Sequence, residues 1–98
     1  MLSRGDNNRP LKEWLQVFAA SPQLRERLYQ ARIGQMWEET MGPLVRQYTR
    51  QVRLDGRTLV IRVESASLKA ELLQMRDLII RRANERLGED FVTDVRIL

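Results

Sequence analysis

Ninety-eight residues suit one globular domain, large enough to bury about two thirds of the surface its unfolded chain exposes. Hydrophobic residues make up 43% of the chain, but no apolar run nears the roughly 18 residues of a membrane-spanning helix. The formal net charge is +4, and the lack of cysteine and histidine excludes disulfides, thiol nucleophiles, thiolate metal sites and an imidazole base or zinc ligand.

Residues 1–9 are polar, with no apolar stretch that could act as a signal peptide. They are expected to be a flexible N-terminus, leaving residues 10–98 as a single domain in a cytoplasmic protein. Pro10 is suited to open a helix, and LKEWLQVFAA sets Leu11, Trp14, Leu15 and Phe18 at helical spacing. A second helix starts with Ser21 as N-cap and Pro22 in its first turn, and should run to about Thr40. Its stripe begins as Leu24, Leu28 and Ala31, then shifts to Ile33, Trp37 and Met41 across Gly34, which predicts a bend. Gly42-Pro43 ends it.

VRLDGRTLVIRV, residues 52–63, reads as a β-hairpin. With Asp55-Gly56 as a two-residue type I′ loop, Leu54 faces Arg57. One face then carries Tyr48, Val52, Leu54, Leu59, Ile61 and Val63, and the other Thr49, Gln51, Arg53, Thr58, Val60 and Arg62. The first is core and the second wet and basic. Arg50 falls on the apolar side, so the pairing is expected to fray or bulge before Gln51. Ser65 or Ser67 caps a third helix, whose stripe Leu68, Leu72, Met75, Ile79, Ala83 and Leu87 spans five turns before Gly88 at C′. FVTDVRIL closes the chain as a strand with Val92, Val95 and Ile97 inward and an irregularity near Asp94. The order ααββαβ predicts an α+β fold, a three-stranded mixed sheet with helices on one face. A right-handed crossover through the third helix sets the last strand parallel to the second.

Charge is uneven along this order. Residues 43–64 hold Arg46, Arg50, Arg53, Arg57 and Arg62 against only Asp55 and Glu64, whereas residues 65–98 balance six basic against six acidic residues. All but Lys12 and Lys69 of the seventeen basic residues are arginine, whose planar fork suits phosphate better than the lysine point charge does. The five hairpin-region arginines are the candidate nucleic-acid contacts. Arg81, Arg82 and Arg86 are secondary candidates, because Asp77 and Glu85 stand at helical spacing to pair with them.

Several separated features resemble the DciA family. They are Trp37 with Gly42 five residues on, Thr49, the strand Leu59/Ile61/Val63, SASLKAEL, and Asn84 with Leu87-Gly88. The resemblance covers residues 24 to 98. It implies a KH-like core domain in a bacterial protein associated with loading and operating the replicative helicase DnaB, in a family also described as nucleic-acid-binding. KH domains clamp a nucleic-acid backbone with a Gly-x-x-Gly loop. The glycines here are 5, 34, 42, 56 and 88, so that loop is missing. Many members carry a C-terminal tail and some a zinc-binding segment, so this chain resembles the short, single-domain form.

Each singled-out residue also has a plainer reading. Trp37 shares a stripe with Ile33 and Met41 and reads as core, the alternative being a helicase contact. Trp14 and Phe18 either pack on the domain or offer an apolar strip to a partner. Asn84 reads as a surface residue near a helix end. Glu38-Glu39 and Glu89-Asp90 are adjacent acids that point apart on a helix, so no metal site is assigned. The sequence thus predicts a non-enzymatic DNA-replication accessory with no catalytic residue, cofactor or small-molecule substrate. Its partners are DNA, single-stranded or duplex, and DnaB. The alternatives are an RNA-binding KH-like protein and a protein-interaction adaptor.

Overall fold

The hairpin is built on Gly56. The computed structural model describes residues 4–98, with side chains from Pro10 onward, and strand β1 (Thr49–Asp55) turns into β2 (Thr58–Val63) through Gly56-Arg57. Gly56 has φ +62, and no non-glycine residue described has a positive φ. A type I′ turn needs positive φ at both central residues, whereas one glycine in the first central position suits type II′. The loop therefore sits one residue later than Asp55-Gly56, and Leu54 faces Leu59, not Arg57. That slip of two residues in pairing preserves the faces, because side chains alternate with period two. Of the two irregularities expected there, fraying or a bulge, the strand has the bulge, with the register shifting between Thr49 and Gln51.

Strand β3 (Asp94–Ile97) lies parallel to β2, giving the order β1-β2-β3. Between them run α4 (Ala66–Gln74) and α5 (Arg76–Leu87), two segments where periodicity reads as one helix. The interruption is at Met75, whose N–H donates to the carbonyls of both Glu71 and Leu72. The apolar stripe survives it: Leu72, Ile79, Ala83 and Leu87 are all buried. Ser65, and not Ser67, is the N-cap, its Oγ accepting from Leu68 N–H at 3.1 Å. Gly88 ends α5 in the left-handed region at φ +80.

Helix α2 (Pro22–Thr40) lies on the same sheet face and runs unbroken through Gly34. Its buried positions are Tyr29, Ile33, Met36 and Trp37, a cleaner helical stripe than the expected one; Leu28 and Ala31 are exposed. With Leu54, Leu59, Ile61, Val92, Val95 and Ile97 these residues form one core between the helices and a single sheet face. Helix α1 (Arg4–Ala20) begins ahead of Pro10, which lies inside it. Of the expected loose segment 1–9, residues 1–3 lie outside the described residues. A further short helix, α3 (Gly42–Tyr48), replaces the start of the expected first strand. Tyr48 therefore ends a helix and is exposed, where the alternation had put it on the strand's apolar face.

Two primary amides stitch the layers together. Gln30 on α2 donates to the Leu54 carbonyl at 2.8 Å and accepts from its N–H at 2.9 Å. Asn84 on α5 is half-buried, accepts from the N–H groups of Phe91 and Val92, and donates to the Val92 carbonyl at 3.0 Å. Asn84 is thus a fixture of the loop into β3 and not a solvated surface residue. At the start of that strand Val95 N–H donates to Asp94 Oδ1 at 2.9 Å. No helix among the described residues is long and apolar enough to cross a membrane.

Candidate nucleic-acid interface

With α2, α4 and α5 packed on one face, the opposite sheet face is left open. Register places three rungs across it: Asp55, Thr58 and Asp94 at the turn end; Arg53, Val60 and Arg96 in the middle; Gln51 and Arg62 beyond. Val60 belongs to this face yet is only 1% exposed, and it stands apart from the main core. Its cross-strand neighbours are Arg53 and Arg96, and arginine stems lie readily over apolar surface while their heads stay in water. The middle of the face is thus a buried valine flanked by two arginines.

The acids on this face are already engaged. Asp55 lies 3.7 Å from Arg53, and Asp94 is ion-paired with Arg76 from the start of α5. Arg62 and Arg96 have no carboxylate partner among the described residues. Arg96 escaped sequence reasoning because residues 65–98 are neutral as a block; the signal was the alternation Val95-Arg96-Ile97, which puts its side chain on the open face.

The other candidates in the arginine-rich stretch go elsewhere. Arg46 is on α3, 3.5 Å from Glu38. Arg50 sits at the bulge, 2.6 Å from Glu64; that hydrogen bond holds the Glu64 carboxyl below its ordinary range and raises the Arg50 guanidinium. Arg57, in the turn, stacks over Phe91 with its guanidinium carbon 5.0 Å from the ring centroid. Phe91 in turn meets Tyr29 edge-on at 5.0 Å, and Tyr29 donates to Glu89. Burial, then that hydrogen bond, raises the Tyr29 phenol. Only Arg53 and Arg62 of the five share the open face, with Arg57 at its corner.

Among the secondary candidates, Arg82 pairs with Glu85 at 3.3 Å within α5. Arg86 instead reaches across to Glu39 on α2, and their hydrogen bond lowers the Glu39 carboxyl and raises Arg86. Arg81 is exposed without a carboxylate partner among the described residues. Trp37 is 2% exposed and donates from Nε1 to Thr49 Oγ1 at 3.0 Å, which makes it a core residue. Trp14 is 59% exposed and Phe18 half-buried, the two lying on α1 where it packs on α2. Among the described residues no group of three acids is placed to hold a metal ion.

Tryptophan and threonine joined by a hydrogen bond, Gly42 opening α3, and Asn84 closing the loop after Gly88 are among the features that carried the resemblance, and each has a structural role here. No curated protein matches the chain. The family model DciA, described as "Dna[CI] antecedent, DciA", matches residues 10–97. Nearly the whole chain is covered by that match, and the chain belongs to the DciA family.

Proposed function

We propose that the chain is a non-enzymatic accessory of DNA replication that holds nucleic acid loosely on its open sheet face and docks on the replicative helicase DnaB. The family links it to helicase loading. The observation that carries the nucleic-acid half is the open face, where Arg53 and Arg96 flank Val60, Arg62 stands on the next rung, and two of the three arginines lack an acid partner among the described residues. Guanidinium groups on a sheet face meet phosphates without reading bases, and among the described residues no aromatic side chain on these strands shares this face to stack a base. Binding should therefore be weak, indifferent to sequence and sensitive to salt. Neutralising about four phosphates corresponds to a log–log salt slope of roughly −3 to −4.

Fluorescence anisotropy with single-stranded DNA, duplex DNA and RNA at two salt concentrations tests this half. Micromolar binding that weakens with salt is expected, and binding to none of the three removes it. Preference for RNA would favour a KH-like RNA-binding protein instead. Capture of the host's replicative helicase by the folded chain tests the other half, which fails if none is recovered.

A further inference from the structure

An exposed apolar surface lies away from the sheet. Leu11, Trp14, Leu15 and Phe18 recur at i, i+3, i+4 and i+7 along α1, and the first three are each more than half exposed. A stripe with this spacing is normally buried against a neighbouring helix. Here Trp14, Leu15 and Phe18 form one wall of a groove of about 630 Å³, with Leu24, Leu28 and Tyr29 of α2 and Leu87 of α5 completing the apolar lining. Arg27 and Arg32 also line it, and neither has a carboxylate partner among the described residues. No acid lines the groove among those residues.

From this we infer that the groove between α1 and α2 receives an amphipathic helix with carboxylates along its flanks, supplied by another protein. Two helices joined at Ser21 present the trough that a third helix fills in a bundle. The lining dictates an apolar stripe on the incoming helix, and the two guanidinium groups dictate acids beside it. A second copy of this chain is a poor occupant. A two-fold interface sets the same patch against itself, bringing Arg27 and Arg32 towards their own counterparts without an acid between them. The inference rests on the proposal that the chain acts by docking on a helicase, and adds where and by what chemistry it does so.

The test uses a labelled, monomeric helical peptide with a leucine stripe flanked by glutamates, and a twin with lysines in place of the glutamates. The glutamate peptide should bind at least about tenfold more tightly than the lysine peptide. Arg27→Glu/Arg32→Glu should reverse that order, and Trp14→Ser should weaken both, with melting curves confirming that the variants fold. Equal binding of the two peptides, or binding of neither, overturns the inference. So does undiminished capture of the replicative helicase by the charge-reversed variant, or a concentration-dependent dimer abolished by Trp14→Ser. If the glutamate peptide binds as expected but no helicase is captured, the groove stands and the helicase reading falls.

Discussion

Trp37 Nε1 donates to Thr49 Oγ1 at 3.0 Å, and that hydroxyl donates onward to the Val45 carbonyl at 2.6 Å. The chain of bonds ties α2 to α3 and to the first residue of β1, across the turn at Gly42. Truncating Trp37 to alanine empties a core site and should cost about 3–5 kcal/mol by chemical denaturation. Thr49→Val keeps the shape but leaves a buried indole N–H without its acceptor, at a cost of about 1–3 kcal/mol. An unchanged unfolding midpoint for Thr49→Val would show the bond to be incidental.

Asn84 satisfies three backbone groups of the loop into β3. Asn84→Ala should destabilise by about 2–3 kcal/mol. Asn84→Asp retains the two accepted bonds but turns a carboxylate towards the Val92 carbonyl. Amide exchange is the discriminating measurement: in both variants the Phe91 and Val92 amides should lose protection before those of β2. Uniform loss across the sheet would mean the loop is not separately pinned.

Helix α5 sets a buried face against a solvated one. Ile79 is fully buried, and Arg81 is exposed. Ile79→Asp places an unpaired charge in the core and should prevent folding, whereas Arg81→Asp should shift stability by less than about 1 kcal/mol. Circular dichroism of the two proteins settles the comparison, and two folded variants would contradict the assigned faces.

Replacing Arg53, Arg62 and Arg96 by glutamate changes the open face by six charge units without touching the core side. Stability should hold within about 1 kcal/mol. Nucleic-acid affinity should fall sharply, with the salt slope shrinking by roughly one per lost phosphate contact. Unaltered affinity and slope would mark this face as merely solubilising and move the search to Arg81, Arg82 and Arg86.

Two surface pairs make stability depend on acid. Hydrogen bonds from Arg86 and Arg50 hold Glu39 and Glu64 below the usual carboxyl range. In acid the unfolded chain therefore takes up protons first, so these contributions are complete above about pH 5 and drain as pH falls through the lowered native values. Tyr29 has the opposite sense: its raised phenol favours the fold below its ordinary value, an advantage lost as pH climbs through the native one. Thermal melts between pH 2 and 7 should show a shallower acid dependence for Glu39→Gln/Glu64→Gln than for the parent. Superimposable profiles would assign the acid sensitivity to other groups.

What sequence periodicity conveyed was faces, and what it missed was local geometry. Alternation in residues 51–63 put Leu54, Leu59 and Ile61 inside and Arg53 and Arg62 outside, and both survived a shift of the turn because pairing moved by two residues. The position of the turn depends on which residue can take positive φ, and two adjacent candidates, Asp55 and Gly56, left that open. Helix α3 was invisible because seven residues with no buried side chain carry no periodic stripe. Charge counting found the arginine-rich stretch but not its dispersal. Arg46, Arg50 and Arg57 meet partners on elements that only folding brings near, and Arg96 joins the site from the far end of the chain.

The side-chain amide of Gln30 and the carboxylate of Asp94 have a consequence for how the sheet ends. Leu54 belongs to an outer strand and its backbone is already spoken for by Gln30, while on the other outer strand Val95 N–H is occupied by Asp94. A fourth strand approaching from either side would have to displace a bond already made. Unguarded outer strands template pairing with other chains and lead towards aggregation. Here one glutamine and one aspartate act as stops, limiting strand-by-strand growth on both sides while the basic face between them stays uncovered.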